Sequence, residues 1–90
     1  MGAVITGTHG GGLNQPIIAK YVTAMEMVTG NGKHLKINRN TTPNFQSYLI
    51  NFGGLGIVTK MTMRIQPRYM VNKQIYTDMR WDELFKEENF

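Results

Sequence analysis

Thr6-Gly7-Thr8-His9-Gly10-Gly11-Gly12 is the stretch of this 90-residue chain whose residue types most invite chemistry. Glycines let successive backbone N–H groups turn toward an oxyanion at close range, and threonine hydroxyls add further donors. Such a loop suits a pyrophosphate or the polar edge of a planar ring system such as a flavin. It is not a P-loop, because no Lys-Ser/Thr pair follows the glycines. Nor is it the dinucleotide fingerprint, since no strand precedes it and no helix follows at the required spacing. A glycine turn with no ligand explains the same residues. The second cluster, Gly53-Gly54-Leu55-Gly56-Ile57-Val58-Thr59, reads as a helix stop running into a strand. Its functional version has the first strand residues offer backbone N–H and C=O to a planar base such as adenine.

Other chemistries find little support. His9 and His34 are the only histidines, no carboxylate stands at a metal-ligand spacing from either, and cysteine is absent. The absence of cysteine removes disulfides, thiolate nucleophiles and cysteine-based zinc sites together, and the histidine spacing gives no support to a zinc or copper site. Four of the acidic residues, Asp82, Glu83, Glu87 and Glu88, crowd the C-terminal end, while Glu26 and Asp78 stand apart. No nucleophile has an adjacent base, so no catalytic residue is assigned.

Hydrophobic residues at 41% and charged residues at 18% describe an ordinary folded segment and not a disordered one. The net charge of +4 comes from scattered lysines and arginines, read as a solvated basic surface. An alternative is a small module that binds single-stranded nucleic acid, with Tyr48, Tyr69, Tyr76 and Trp81 stacking on bases. No apolar stretch is long enough to span a membrane, and Met1-Gly2-Ala3-Val4 lacks the features of a signal peptide. The lack of cysteine in so short a chain leans toward the cytoplasm.

The elements that must position these residues follow from periodicity. Gly2–Gly12 reads as a loop closed by the Asn14-Gln15-Pro16 turn. From Ile17 to Thr29 β-branched residues and methionines accumulate, with Met25, Met27 and Thr29 alternating against Ala24, Glu26 and Val28. The Asn31-Gly32 pair then predicts an antiparallel hairpin of 22–29 with 33–38. Phe45, Tyr48, Leu49 and Phe52 fall at helical spacing and end at the second glycine cluster. Ile57–Ile65 reads as a strand with Val58, Lys60, Thr62 and Arg64 on one face. A further strand is expected over Tyr69–Met79, and a short helix over Trp81–Glu88. The fold class is α+β, an antiparallel sheet with flanking helices.

Three segments in this order resemble one family. Gly2 to Gly10 closely resembles the Thr-Gly-Thr-His-Gly stretch of FAD-linked oxidases with the vanillyl-alcohol-oxidase (PCMH) type of flavin domain. Glu26-Met27-Val28-Thr29-Gly30-Asn31-Gly32 is similar to the ELVTADG hairpin of that family, and Phe52–Thr59 to its LGALGVVT. The likeness is strongest to the alditol (xylitol) oxidases and the aldonolactone oxidases, and runs from Gly2 to about Tyr76.

The resemblance implies FAD as cofactor, bound along Gly2, Thr6, Gly7, Thr8, His9 and Gly10 through backbone amides and threonine hydroxyls. It implies that Ile57 and Val58 hold the adenine end through backbone groups. Residues 1–79 would then be the later part of the FAD-binding domain, its second subdomain, and 80–90 the start of a substrate or cap domain. The implied substrate is a polyol or sugar lactone, oxidised at the expense of dioxygen to give hydrogen peroxide, with no nucleic-acid or membrane partner. Gly54 stands for a usual alanine and Gly11 for a common serine, both small departures. The family's upstream pyrophosphate loop and its cap domain have no counterpart in the chain. An exposed apolar surface left by their absence would leave room for self-association.

Overall fold

Alternation places Met25 and Met27 on one face of a central strand, and the fold is built against that face. The computed structural model describes residues 1–86. β1 (Val22–Val28) lies between β2 (His34–Asn38) and β3 (Ile57–Met63) in an antiparallel sheet of order β2-β1-β3. Three single-turn α-helices accompany it: α1 (Gly2–Ile5), α2 (Gln46–Leu49) and α3 (Trp81–Leu84), with a 3-10 turn at Ile18–Tyr21. This is the expected α+β class.

The core joins Val22, Met25, Met27 and Ile37 of the sheet to Val4, Ala19, Phe45 and Leu49 of the segments laid over it. Val22, Met25 and Met27 are the most completely buried side chains, and Val58 and Met61 of β3 pack beside them. The opposite face is polar. There Glu26 lies beside Lys36 at 3.7 Å and the His34 ring at 4.0 Å.

The hairpin forms where the Asn-Gly signal placed it, through a three-residue loop. Thr29 and Lys33 close it (Thr29 N–H to Lys33 O, 2.9 Å), and Gly32 N–H returns to Thr29 O at 2.9 Å. Gly32 takes φ +79°, the left-handed residue that lets such a loop match the twist of the strands.

The first strand starts at Val22, where the hairpin reading placed it, and Ile18–Tyr21 before it coils into the 3-10 turn that buries Ala19. Other expectations need correction. The simple alternation expected along 57–65 is interrupted. Glu26 pairs with Lys60 but Met27 pairs with Val58, so Thr59 is an extra residue. That bulge puts Val58 and Met61, three positions apart, on the same core-facing side.

The helix expected to reach Phe52 stops after one turn. Asn51 donates from Nδ2 to Tyr48 O (2.8 Å) and accepts the Gly53 N–H on Oδ1 (2.7 Å), so local side-chain bonds replace helix continuation. Phe52 turns left-handed at φ +52° and is 71% exposed.

No strand forms over Tyr69–Met79: after Arg64 N–H bonds Tyr21 O at 2.8 Å, residues 65–79 are exposed and outside regular structure. A strand needs a neighbour for its backbone groups, and none of the described residues supplies one. The radius of gyration, 18.5 Å against ~12 Å for a compact chain of this length, reflects that projecting segment. The terminal helix is one turn, with Trp81 stacked on Phe85 at 5.7 Å; Glu87 and Glu88 lie outside the described residues.

Candidate functional site

Gly2 opens α1, a helical turn that the glycine content of 2–12 had concealed. The turn persists because Val4 is buried in the core, which outweighs a poor local propensity. Its end is a Schellman cap. Gly7 N–H donates to Val4 O (3.1 Å) and Thr8 N–H to Ala3 O (3.0 Å), with Gly7 at φ +73°. Thr6 N–H bonds Gly2 O at 3.1 Å, and the Thr6 hydroxyl donates to the same oxygen at 2.7 Å.

The amides of Thr6, Gly7 and Thr8 are thus committed within the chain. What the loop presents outward is the Thr8 hydroxyl, 3.4 Å from that of Thr6, the exposed His9 ring, and the glycines beyond. His9 Nδ1 sits 3.1 Å from Gly10 O. A Cβ added at Gly10 or Gly11 would meet nothing within 4 Å, so a planar or anionic group could approach the backbone there. The arrangement is an open rim, able to donate hydrogen bonds to an anion or a polar ring edge, with no acid–base pair beside it. Among the described residues no group of three potential metal ligands occurs.

The segment 50–56 ties the two glycine clusters together. Ile50 packs on Gly7, where an added Cβ would stand 3.4 Å from two of its side-chain carbons. Phe52 N–H donates to Ile5 O at 3.1 Å. At the other end Gly56 presses on β1, its ideal Cβ position lying 2.4 Å from Val28 O. Ile57 follows at once, paired with Val28 and with its side chain exposed, and Val58 turns inward beneath Met27. Gly2, Thr6, Gly7 and Thr8 therefore share one turn. Ile57 and Val58 lie at the far end of the connecting segment, and no hydrogen bond joins them to that turn among the described residues.

Ile50 and Asn51 escaped sequence reasoning, although Asn51 just before Phe52-Gly53 is the kind of residue that diverts a helix into a turn. Gly7→Ala is expected to cost about 1 kcal/mol, the strain of an alanine in the left-handed region, because Ile50 can yield to the new methyl. Urea denaturation followed by circular dichroism measures it.

The aromatic residues considered for base stacking do not form a platform. Tyr48 packs against the core from α2, while Tyr69, Tyr76 and Trp81 lie beyond the sheet. No helix among the described residues is long and apolar enough to cross a membrane.

No protein-family profile matches the chain, and no solved structure matches it. Curated proteins do. Alditol oxidase of Streptomyces is 32% identical over 87% of the chain and 19% of its own length. A Neurospora crassa protein provisionally named D-arabinono-1,4-lactone oxidase is 30% identical over 97% of the chain and 16% of its own length. L-gulonolactone oxidase of the shark Scyliorhinus torazame is 30% identical over 81% of the chain and 17% of its own length. The chain thus spans less than a fifth of the length of these relatives.

Proposed function

From the premise that the chain is a homologue of the alditol and aldonolactone oxidases, we propose that it forms one wall of the FAD site of such an oxidase. The observation that carries this reading is the tie between the glycine clusters: the Ile5–Phe52 hydrogen bond and the Ile50–Gly7 contact make them one unit. When bound, FAD would accept hydride from a C–H of a polyol or sugar lactone and pass the electrons to dioxygen, giving hydrogen peroxide.

The chain's own part is binding and orientation. The Thr8 hydroxyl, His9 and the Gly10 amide are the groups free to meet the flavin. The Schellman cap keeps them in place by fixing the direction in which the chain leaves α1. Gly2, Thr6 and Gly7 act through that cap, shaping the turn with amides already engaged. Ile57 and Val58 would meet the adenine end through backbone atoms at the entry to β3. Residues 1–79 would belong to the FAD-binding domain and 80–90 to the start of the next, with the substrate pocket supplied from elsewhere in the whole protein.

The native protein that carries this sequence should be yellow with a flavin that an alditol or an aldonolactone bleaches in the absence of oxygen, and should produce peroxide with that substrate in air. A colourless protein that leaves both substrate classes untouched overturns the reading. The 90-residue chain alone is expected to bind FAD weakly or not at all and to catalyse nothing, since it offers an open rim without an enclosing partner. A yellow, substrate-reducible flavin on the isolated chain would sink that expectation.

A further inference from the structure

We propose that Asn31, at the tip of the β1–β2 hairpin, is a self-modification site that converts spontaneously to aspartate and isoaspartate. Asn31 is the only asparagine followed by glycine in the chain, so its side-chain carbonyl carbon faces a backbone nitrogen without Cβ crowding. Both residues are exposed, and an added Cβ at Gly30 or Gly32 would meet nothing within 4 Å, so water and hydroxide reach the tip freely.

The distinctive feature is the setting of Asn31 Oδ1. It accepts the Lys33 N–H at 3.2 Å, a contact that folds the side chain back over the Gly32 peptide. The Thr29 hydroxyl hydrogen-bonds the same oxygen. That hydroxyl has one proton, and Lys33 O at 3.2 Å is its other acceptor.

Hydroxide removes the Gly32 N–H proton, and the nitrogen bonds to Asn31 Cγ. The C=O electron pair moves onto Oδ1, where the two donors stabilise the developing charge. Collapse breaks the Cγ–Nδ2 bond, and Nδ2 leaves as ammonia after taking a proton from water. Water then opens the cyclic imide at either carbonyl, giving aspartate or isoaspartate. No oxidant or reductant takes part.

One contact opposes the reaction. Gly32 N–H must first release Thr29 O, to which it bonds at 2.9 Å. While the imide persists that bond cannot re-form, because the nitrogen has no hydrogen until water opens the ring. The isoaspartyl product also lengthens the backbone within a three-residue loop. The loop abuts the entry to β3, with Thr29 Cα 3.2 Å from the ideal Cβ position of Gly56.

Peptide mapping by mass spectrometry of the full chain, held at neutral pH, tests the proposal without reference to flavin. Asn31 should convert ahead of every other asparagine. Thr29→Val should slow it about threefold to tenfold, the worth of one neutral hydrogen bond to the reacting oxygen. Thr29→Ser, which restores the hydroxyl, should convert at the original rate. Earlier conversion of another asparagine, a Thr29→Val rate equal to or above that of the unaltered chain, or a Thr29→Ser rate as slow as Thr29→Val, would overturn it.

Discussion

Gly56→Ala is expected to destabilise the chain by about 3 kcal/mol or more, through forced backbone displacement and left-handed strain together. The ideal Cβ position lies 2.4 Å from Val28 O, 3.1 Å from Val28 C and 3.2 Å from Thr29 Cα, all of them backbone atoms. Real Cβ atoms essentially never come within 3.0 Å of another atom, as this one would of Val28 O, and no rotamer change relieves a backbone clash. With φ at +152°, an L side chain would also be strained there if space were available.

The clash falls where β3 begins, since Val28 pairs with Ile57 and Met27 with Val58. Pushing Gly56 off β1 should therefore lose those first rungs and uncover Met27, one of the most buried side chains. Total stability for a chain of this size is on the order of 5–10 kcal/mol, so the substitution consumes a large share of it. Gly54→Ala serves as the control. Its Cβ would stand 3.2 Å from Asn51 O with φ outside the left-handed region, and a cost under about 1 kcal/mol is expected. Urea midpoints for the two variants decide the matter: equal midpoints would mean that Gly56 does not contact β1 as described. On the proposed reading, in which Ile57 and Val58 meet the adenine end, the same substitution in the native protein should also weaken flavin retention.

Which parts of this were legible in the sequence depends on the range of the interactions involved. The hairpin rests on neighbours in the chain: alternating Met25 and Met27, an Asn-Gly pair, and Leu35 and Ile37 beyond it. Local rules therefore found it. The bulge at Thr59 depends on how β3 registers against a strand some thirty positions earlier, and the strict alternation of 57–65 carries no trace of it. The Phe45–Phe52 stripe was a true helical signal with a local competitor. Asn51 could divert the chain, and the stripe alone did not weigh that. The Tyr69–Met79 expectation measured β-propensity only, and propensity cannot provide the partner that a strand requires. For the candidate site, the glycine-rich loop was visible at once. That three of its amides are spent on capping α1 was not, because Gly2 disguised the helix and the burial of Val4 is a tertiary fact.

Nothing in the sequence sets Arg39 apart from the other scattered basic residues, and its removal is the other large expected effect. Its Nε donates to Val22 O at 2.9 Å. One terminal nitrogen reaches Val22 O at 2.6 Å, Lys20 O at 3.3 Å and Ala19 O at 3.4 Å. These are the carbonyls of the 3-10 turn and of the residue entering β1, so one guanidinium closes the turn and starts the central strand. Its carbon also sits 5.0 Å from the centre of the buried Phe45 ring, which joins α2 to the same group. Arg39→Ala leaves the carbonyl of fully buried Val22 without these charged donors, and a loss of about 2–4 kcal/mol is expected. Arg39→Lys should recover less than half of that. An ammonium on a flexible stem cannot hold the fork at Val22 O and lie flat over Phe45 together. Repeating both substitutions in a Phe45→Leu background isolates the ring contact, with a coupling of about 0.5–1 kcal/mol expected for a partly buried pair. If Arg39→Lys proves as stable as the unaltered chain, charge alone would account for the effect. The forked, planar geometry would then have no role in setting where β1 begins.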